Sequence, residues 1–220
     1  ISDKTHFTSF CENNEKMYLI SSKHLAIYNQ QNGQVQYEEI PLDYSRLNCI
    51  LSLGKDTIGI GTNNGIILFF AKSKQFRNVE MHFNVMRLFE DSHNELWLFS
   101  KEQRGIVRYD PLTNEQQHYE TPTQNMPKAE LRSRDVIFED SQGTLWVVPH
   151  LGCLSYYDRE DKELKPYYTD YSKPESKFTP VILNFYVDNQ KNFWYANNFW
   201  MDKISFFPNA SQLTLSLIHI

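Results

Sequence analysis

Glu139-Asp140-Ser141-Gln142-Gly143-Thr144-Leu145-Trp146 is the stretch that decides the fold. An apolar run precedes it, an Asp opens a polar turn, and an apolar–Trp pair leaves it. An Asp at the head of a turn is favoured because its carboxylate accepts backbone N–H groups two residues on. Gly143 suits a turn position that needs a positive φ. The same pattern stands at Glu90-Asp91-Ser92-His93-Asn94-Glu95-Leu96-Trp97 and at Val187-Asp188-Asn189-Gln190-Lys191-Asn192-Phe193-Trp194, so the three tryptophans are 49 and 48 residues apart.

Self-similarity at such a period marks a repeat architecture. Two weaker copies lie upstream: Phe10 to Tyr18, with Tyr18 in the Trp position, and Leu53 to Gly59, with Gly59 there. About ten residues after each anchor comes a second apolar box, such as Gly65-Ile66-Ile67-Leu68-Phe69, Gly105-Ile106-Val107-Arg108-Tyr109-Asp110 or Leu154-Ser155-Tyr156-Tyr157-Asp158. A short aromatic-rich stretch closes several units. Each unit is long enough for four short antiparallel strands with turns, which is one blade of a β-propeller. Strands a and b flank the Asp turn, strand c holds the second box, and Pro111 breaks pairing before strand d.

The expected fold is therefore all-β, a propeller of four-stranded antiparallel blades with about five blades present, as part of a larger propeller. The approximate blades are 5–44, 45–83, 84–131, 132–180 and 181–217. Trp97, Trp146 and Trp194 sit between apolar neighbours in strand b and are expected to be buried between blades.

Composition agrees. Hydrophobic residues make up 40% of the 220 and aromatics 15%, which excludes disorder and leans toward strands. A net charge of −5 argues against a nucleic-acid backbone as partner of this segment. No apolar run reaches the ~20 residues that span a bilayer. Cys11, Cys49 and Cys153 lack metal-ligand spacing and are expected as buried free thiols.

The Glu-Asp-Ser-x-Gly-x-Leu-Trp box, followed by Gly-Ile-x-Arg-Tyr-Asp-Pro, resembles the two-component regulator propeller repeat, and Ile60-Gly61-Thr62-Asn63-Asn64-Gly65 matches the stretch after its Trp. The resemblance covers nearly the whole chain. Tyr18 and Gly59 depart from it in place of Trp. It implies the periplasmic sensing part of a hybrid two-component receptor in Bacteroides-like bacteria, an inner-membrane protein that forms a homodimer. Membrane contact would come only through a downstream helix. Histidine kinase, phosphorelay and transcription control would lie elsewhere in that protein. The implied ligand is a glycan fragment or other small molecule.

Catalytic signatures are absent from the sequence: no GxSxG, Walker-type or GxGxxG segment occurs, and the seven histidines form no HxH or HExxH arrangement. No catalytic residue, metal or cofactor is expected. The paired acids of the box read as turn formers facing solvent. What remains is the rim where b–c and d–a connections open together. Gln103, Arg104, His150, Asn198 and Trp200 on b–c loops, with Arg132 and Arg134 on a d–a loop, are the candidate ligand contacts. Guanidinium, amide and aromatic groups suit an acidic or hydroxylated ligand. A propeller lyase or hydrolase acting on glycans is the alternative from another class, and a passive protein-interaction propeller is the third.

Overall fold

The computed structural model describes residues 6–21, 24–41, 46–100, 102, 105–120, 136–148, 155–166, 184–189, 193–196 and 201–204. All regular structure among them is strand. The strands run in sequence order through five antiparallel sheets. The first contains β1 (Ser9–Asn13), β2 (Lys16–Ile20), β3 (His24–Asn29) and β4 (Val35–Glu39), and the second β5 (Leu47–Leu53), β6 (Thr57–Thr62), β7 (Gly65–Phe70) and β8 (Gln75–Glu80). The third contains β9 (Val85–Glu90), β10 (Leu96–Ser100), β11 (Ile106–Tyr109) and β12 (Gln116–Tyr119). The fourth contains β13 (Val136–Glu139), β14 (Leu145–Val148), β15 (Ser155–Asp158) and β16 (Glu163–Pro166), and the fifth β17 (Asn184–Val187), β18 (Phe193–Ala196) and β19 (Met201–Ile204). Residues 1–90 with 96–103 form one compact unit, and 91–95 with 104–220 another.

In the first unit the core lies between the first two sheets. Tyr18, Ile20, Leu25 and Ile27 from one meet Ile50, Ile58, Ile60, Ile67 and Phe69 from the other. Tyr18 is buried and its ring lies 6.5 Å from that of Phe69. Each such side chain contributes about 1.5–3 kcal/mol by leaving water. Gly59 occupies the anchor position of the second sheet, and a Cβ there would meet Leu53 at 2.9 Å and Leu88 at 3.2 Å. Two leucines thus fill the space that an aromatic ring fills elsewhere. Trp97 is fully buried and pairs across the ladder with Phe89.

In the second unit Trp146 is buried, stacked parallel to Phe138 at 6.4 Å and tilted against Tyr156 at 5.7 Å. Trp194 holds the same register against Tyr186 that Trp146 holds against Phe138, and is half-buried. The hydroxyls of buried Tyr119 and Tyr157 share a hydrogen bond of 3.1 Å.

The turns repeat as closely as the strands. Asp91 and Asp140 each open the first turn of their sheets, where Asn94 (φ 60°) and Gly143 (φ 79°) take the positive-φ position. Asn29, Asp110 and Asp158 open the last turns, each accepting the amide two residues on at 2.8–3.0 Å. Gly65 and Gly105 start β7 and the approach to β11 with φ of 117° and 104°. A Cβ on Gly65 would come within 2.2 Å of the Val79 carbonyl oxygen, and one on Gly105 within 1.9 Å of that of Tyr119. Only glycine fits there, which explains the Gly-Ile start of the second box. Cys11 and Cys49 are free thiols, and burial pushes both up to about 12. Cys153 lies outside the described residues.

Candidate functional site

Of the acid pairs expected to face solvent, the glutamates Glu90 and Glu139 stay partly exposed while the aspartates do not. Asp91 and Asp140 are only 4% and 6% exposed. One carboxylate oxygen of Asp140 accepts the amides of Gln142 and Thr144, and the other accepts the indole N–H of Trp146 at 2.8 Å. Asp188 receives the Trp194 indole in the same way at 2.9 Å. The box is thus a closed device: the Asp folds the turn and anchors the Trp six residues on. Burial is tolerated because each carboxylate is hydrogen-bonded throughout.

The Glu before Asp91 and the Glu before Asp140 each reach the turn of the preceding sheet. Glu90 accepts the Gly54 amide at 3.2 Å in the first unit. Glu139 accepts both the amide and the hydroxyl of Ser92, at 3.0 and 2.7 Å, in the second. Paired acids here are structural ties within and between sheets.

A charged network grows from these ties in the second unit. Arg159, beside the turn Asp of β15, donates to Asp91 at 2.7 Å and to Glu95 at 2.6 Å, lies 3.9 Å from Glu139 and covers the Tyr157 ring at 5.7 Å. Arg108 on β11 donates to the other oxygen of Glu95 at 2.6 Å and to Gln117 at 3.5 Å. Burial works against both guanidinium charges, yet their bonds to Asp91 and Glu95 leave both more basic than usual. Arg108, Asp110, Glu115, Gln116 and Gln117 line a groove of about 340 Å³. It offers charged and amide donors and acceptors, the equipment for holding a hydroxylated molecule by hydrogen bonds.

Asp91, His93 and Glu139 bring potential ligand atoms within 4.8 Å of one another. The Arg159 guanidinium already sits against two of these carboxylates and supplies the positive charge that a cation would bring. Sequence spacing did not reveal this cluster because its members come from two sheets.

The groove and network stand at the sheet end that carries the a–b and c–d turns, not at the end of the b–c turns. The expected contacts Gln103, Arg104, Arg132, Arg134, His150, Asn198 and Trp200 all lie outside the described residues. At the b–c end of the second sheet, the buried Thr62 hydroxyl donates to the Gly65 carbonyl at 3.0 Å and accepts the Asn64 amide at 3.1 Å, closing a tight hairpin that leaves Asn63 exposed.

No family model and no curated protein matches the sequence. Solved structures do. The β-propeller domain of Cps50 from Myceliophteria thermophila is 14% identical, with a TM-score of 0.69 over 97% of this chain and 71% of its own. The chain has a β-propeller fold. Its sheets are blades, four with all four strands described. The extracellular domains of the two-component systems BT4673 and BT3049 from B. thetaiotaomicron are 16–18% identical, with TM-scores of 0.64–0.68 over 89–97% of this chain. The chain spans under a third of their length, 26–30%. Virginiamycin B lyase from Staphylococcus aureus is 13% identical, with a TM-score of 0.70 over 93% of this chain and 68% of its own.

Proposed function

We propose that this propeller is a segment of the extracytoplasmic, ligand-sensing region of a hybrid two-component receptor, and that it acts on no substrate itself. The observation that carries the proposal is the fold shared with the extracellular domains of two such systems across almost the whole chain, joined to the Glu-Asp…Trp repeat. On this reading the segment is periplasmic, and the ligand is a glycan-derived oligosaccharide. Binding favours one arrangement of a receptor homodimer over another, a population shift read by a kinase on the far side of the membrane. Gln103, Arg104, Arg132, Arg134, His150, Asn198 and Trp200 contact the ligand, Arg104 pairing an acidic group and Trp200 stacking on a sugar ring.

A second reading, a propeller enzyme, draws on the lyase that shares the fold. Product analysis separates the two. The whole extracytoplasmic region, incubated with a panel of acidic and neutral oligosaccharides, is expected to leave every one chemically intact. Appearance of unsaturated or shortened products by mass spectrometry would refute the receptor proposal and favour the enzyme.

A further inference from the structure

The last hairpin of the fourth blade and that of the third match residue for residue: Asp158 with Asp110, Glu163 with Glu115, Leu164 with Gln116 and Lys165 with Gln117. The register of the second blade puts Phe76 and Arg77 at the last two places. In the fourth blade Lys165 gathers the acids of its own corner. It donates to Asp158 at 2.7 Å and to Asp161, and lies 3.9 Å from Glu163. In the second, Arg77 covers the ring of Phe70 at 6.0 Å. In the first, where that place is Gln36, Lys74 of the second blade comes to it at 3.4 Å and to Glu38 at 2.9 Å. The neighbouring place packs inward as Leu164, which is buried, and as Phe76, whose ring lies 4.7 Å from that of Phe69. The third blade departs from this pattern at both places, with two exposed glutamines. Among the described residues no lysine or arginine forms an ion pair with Asp110 or Glu115. Arg108, across the ladder from Gln117, is turned to Glu95 at 2.6 Å and reaches Gln117 only at 3.5 Å. The corner that a cation and an apolar side chain fill in the fourth blade is in the third the groove of about 340 Å³.

We propose that this groove binds a small hydroxylated amine of the amino-sugar type, its ammonium group held by Asp110 and Glu115 as Lys165 is held by Asp158 in the fourth blade. Carboxylates make charge-assisted hydrogen bonds with an ammonium group, which are stronger than those between neutral partners. Gln116 and Gln117 bring amide donors and acceptors to the hydroxyls, and Arg108 brings further donors. The volume stands at the small end of ligand pockets, which suits a single ring. A sugar acid is rejected, because its carboxylate would face two others while the Arg108 charge is already shared with Glu95. The site lies at the c–d end of the blade, away from the b–c loops that carry Arg104 and Trp200. It does not rest on the receptor proposal, since a propeller of any function would hold the same groove.

The test is a titration of the 220-residue chain with glucosamine, glucose and glucuronate, followed by NMR of the glutamine side-chain amides and the arginine Nε–H groups. Glucosamine is expected to shift Gln116, Gln117 and Arg108 saturably. Glucose, which lacks the ammonium group, is expected to bind about fivefold or more weakly, and glucuronate not to bind. Gln117→Lys installs the side chain of the fourth blade. It is expected to keep the parent's Tm, since Gln117 is exposed, and to weaken glucosamine about fivefold or more by placing its own ammonium at the acids. Glu115→Gln, a milder change, is expected to weaken glucosamine while leaving glucose unaltered, and it carries the test should the Lys variant fail to fold. Arg104→Ala is expected to change nothing. Equal binding of glucose and glucosamine overturns the proposal, as does saturable binding of glucuronate. So do glucosamine shifts that never saturate, that persist in folded Gln117→Lys, or that vanish in Arg104→Ala, the last assigning the binding to the other end of the blades.

Discussion

The indole N–H of Trp146 donates to Asp140 across 2.8 Å, while the same carboxylate holds the turn between β13 and β14. A single acid therefore couples local turn geometry to the placement of the largest side chain in the blade. Removing the acid strands one indole donor in the interior and frees two turn amides. Asp140→Ala is expected to cost about 3 kcal/mol, and Asp140→Asn, which keeps an acceptor for the turn, clearly less. Trp146→Phe keeps the ring but leaves the acid without its donor, at about 2 kcal/mol. Urea unfolding of the two single variants and the double Asp140→Ala/Trp146→Phe closes a cycle. The double variant is expected to cost less than the sum, and strict additivity would show the pair to be uncoupled.

Glycine at the head of strand c makes a sharper claim. Gly105→Ala places a methyl group 1.9 Å from the Tyr119 carbonyl oxygen, so the strand c–strand d ladder must part. About 3 kcal/mol or more is expected from strain at such a position. Gly33 also has positive φ, but nothing lies within 4 Å of its would-be Cβ. Gly33→Ala is expected to cost only the backbone strain, about 1–2 kcal/mol. Thermal melts of the pair check the ranking, and an equal loss would mean that φ alone, not the close approach, governs both sites.

Acid stability follows from two half-buried turn carboxylates, Asp110 and Asp158. The bond from Lys165 holds Asp158 below the usual carboxylate range, and the amide of Leu112 does the same for Asp110. A carboxyl whose folded pKa is depressed stabilises the fold above its unfolded pKa, near 3.9, and that contribution is lost as pH falls through the folded value. The urea midpoint is expected to drop from pH 5 to pH 2.5, and Asp158→Asn to make the drop shallower. A midpoint that rises on acidification, or an unaltered slope in the variant, contradicts this.

These relationships were unequally legible in the sequence. The Asp-to-Trp device repeats at fixed spacing, so its turn, its strands and its anchor could be read from Asp140, Gly143 and Trp146 alone. Its burial could not, because a turn Asp facing solvent and one bonded to an indole look alike in a linear pattern. Nothing in the linear sequence marks Arg159 as the centre of a charged network. Its partners Asp91 and Glu95 lie 68 and 64 residues away, and only the stacking of one blade on another brings them together. The substitution of Tyr18 and Gly59 at anchor positions was readable, whereas the compensation at Gly59 by Leu53 and Leu88 comes from packing alone.

Calorimetry on the whole extracytoplasmic region against a panel of oligosaccharides separates a ligand-sensing propeller from its rivals. Saturable heat with at least one oligosaccharide is predicted, with the sugar recovered unchanged. Arg104→Ala and Trp200→Ala are each predicted to weaken that binding by about tenfold to a hundredfold, the loss of a charged hydrogen bond being worth about 1.5–3 kcal/mol, at an unaltered Tm. Consumption of the sugar during the titration, or no saturable heat with any member of the panel, would contradict a sensing role.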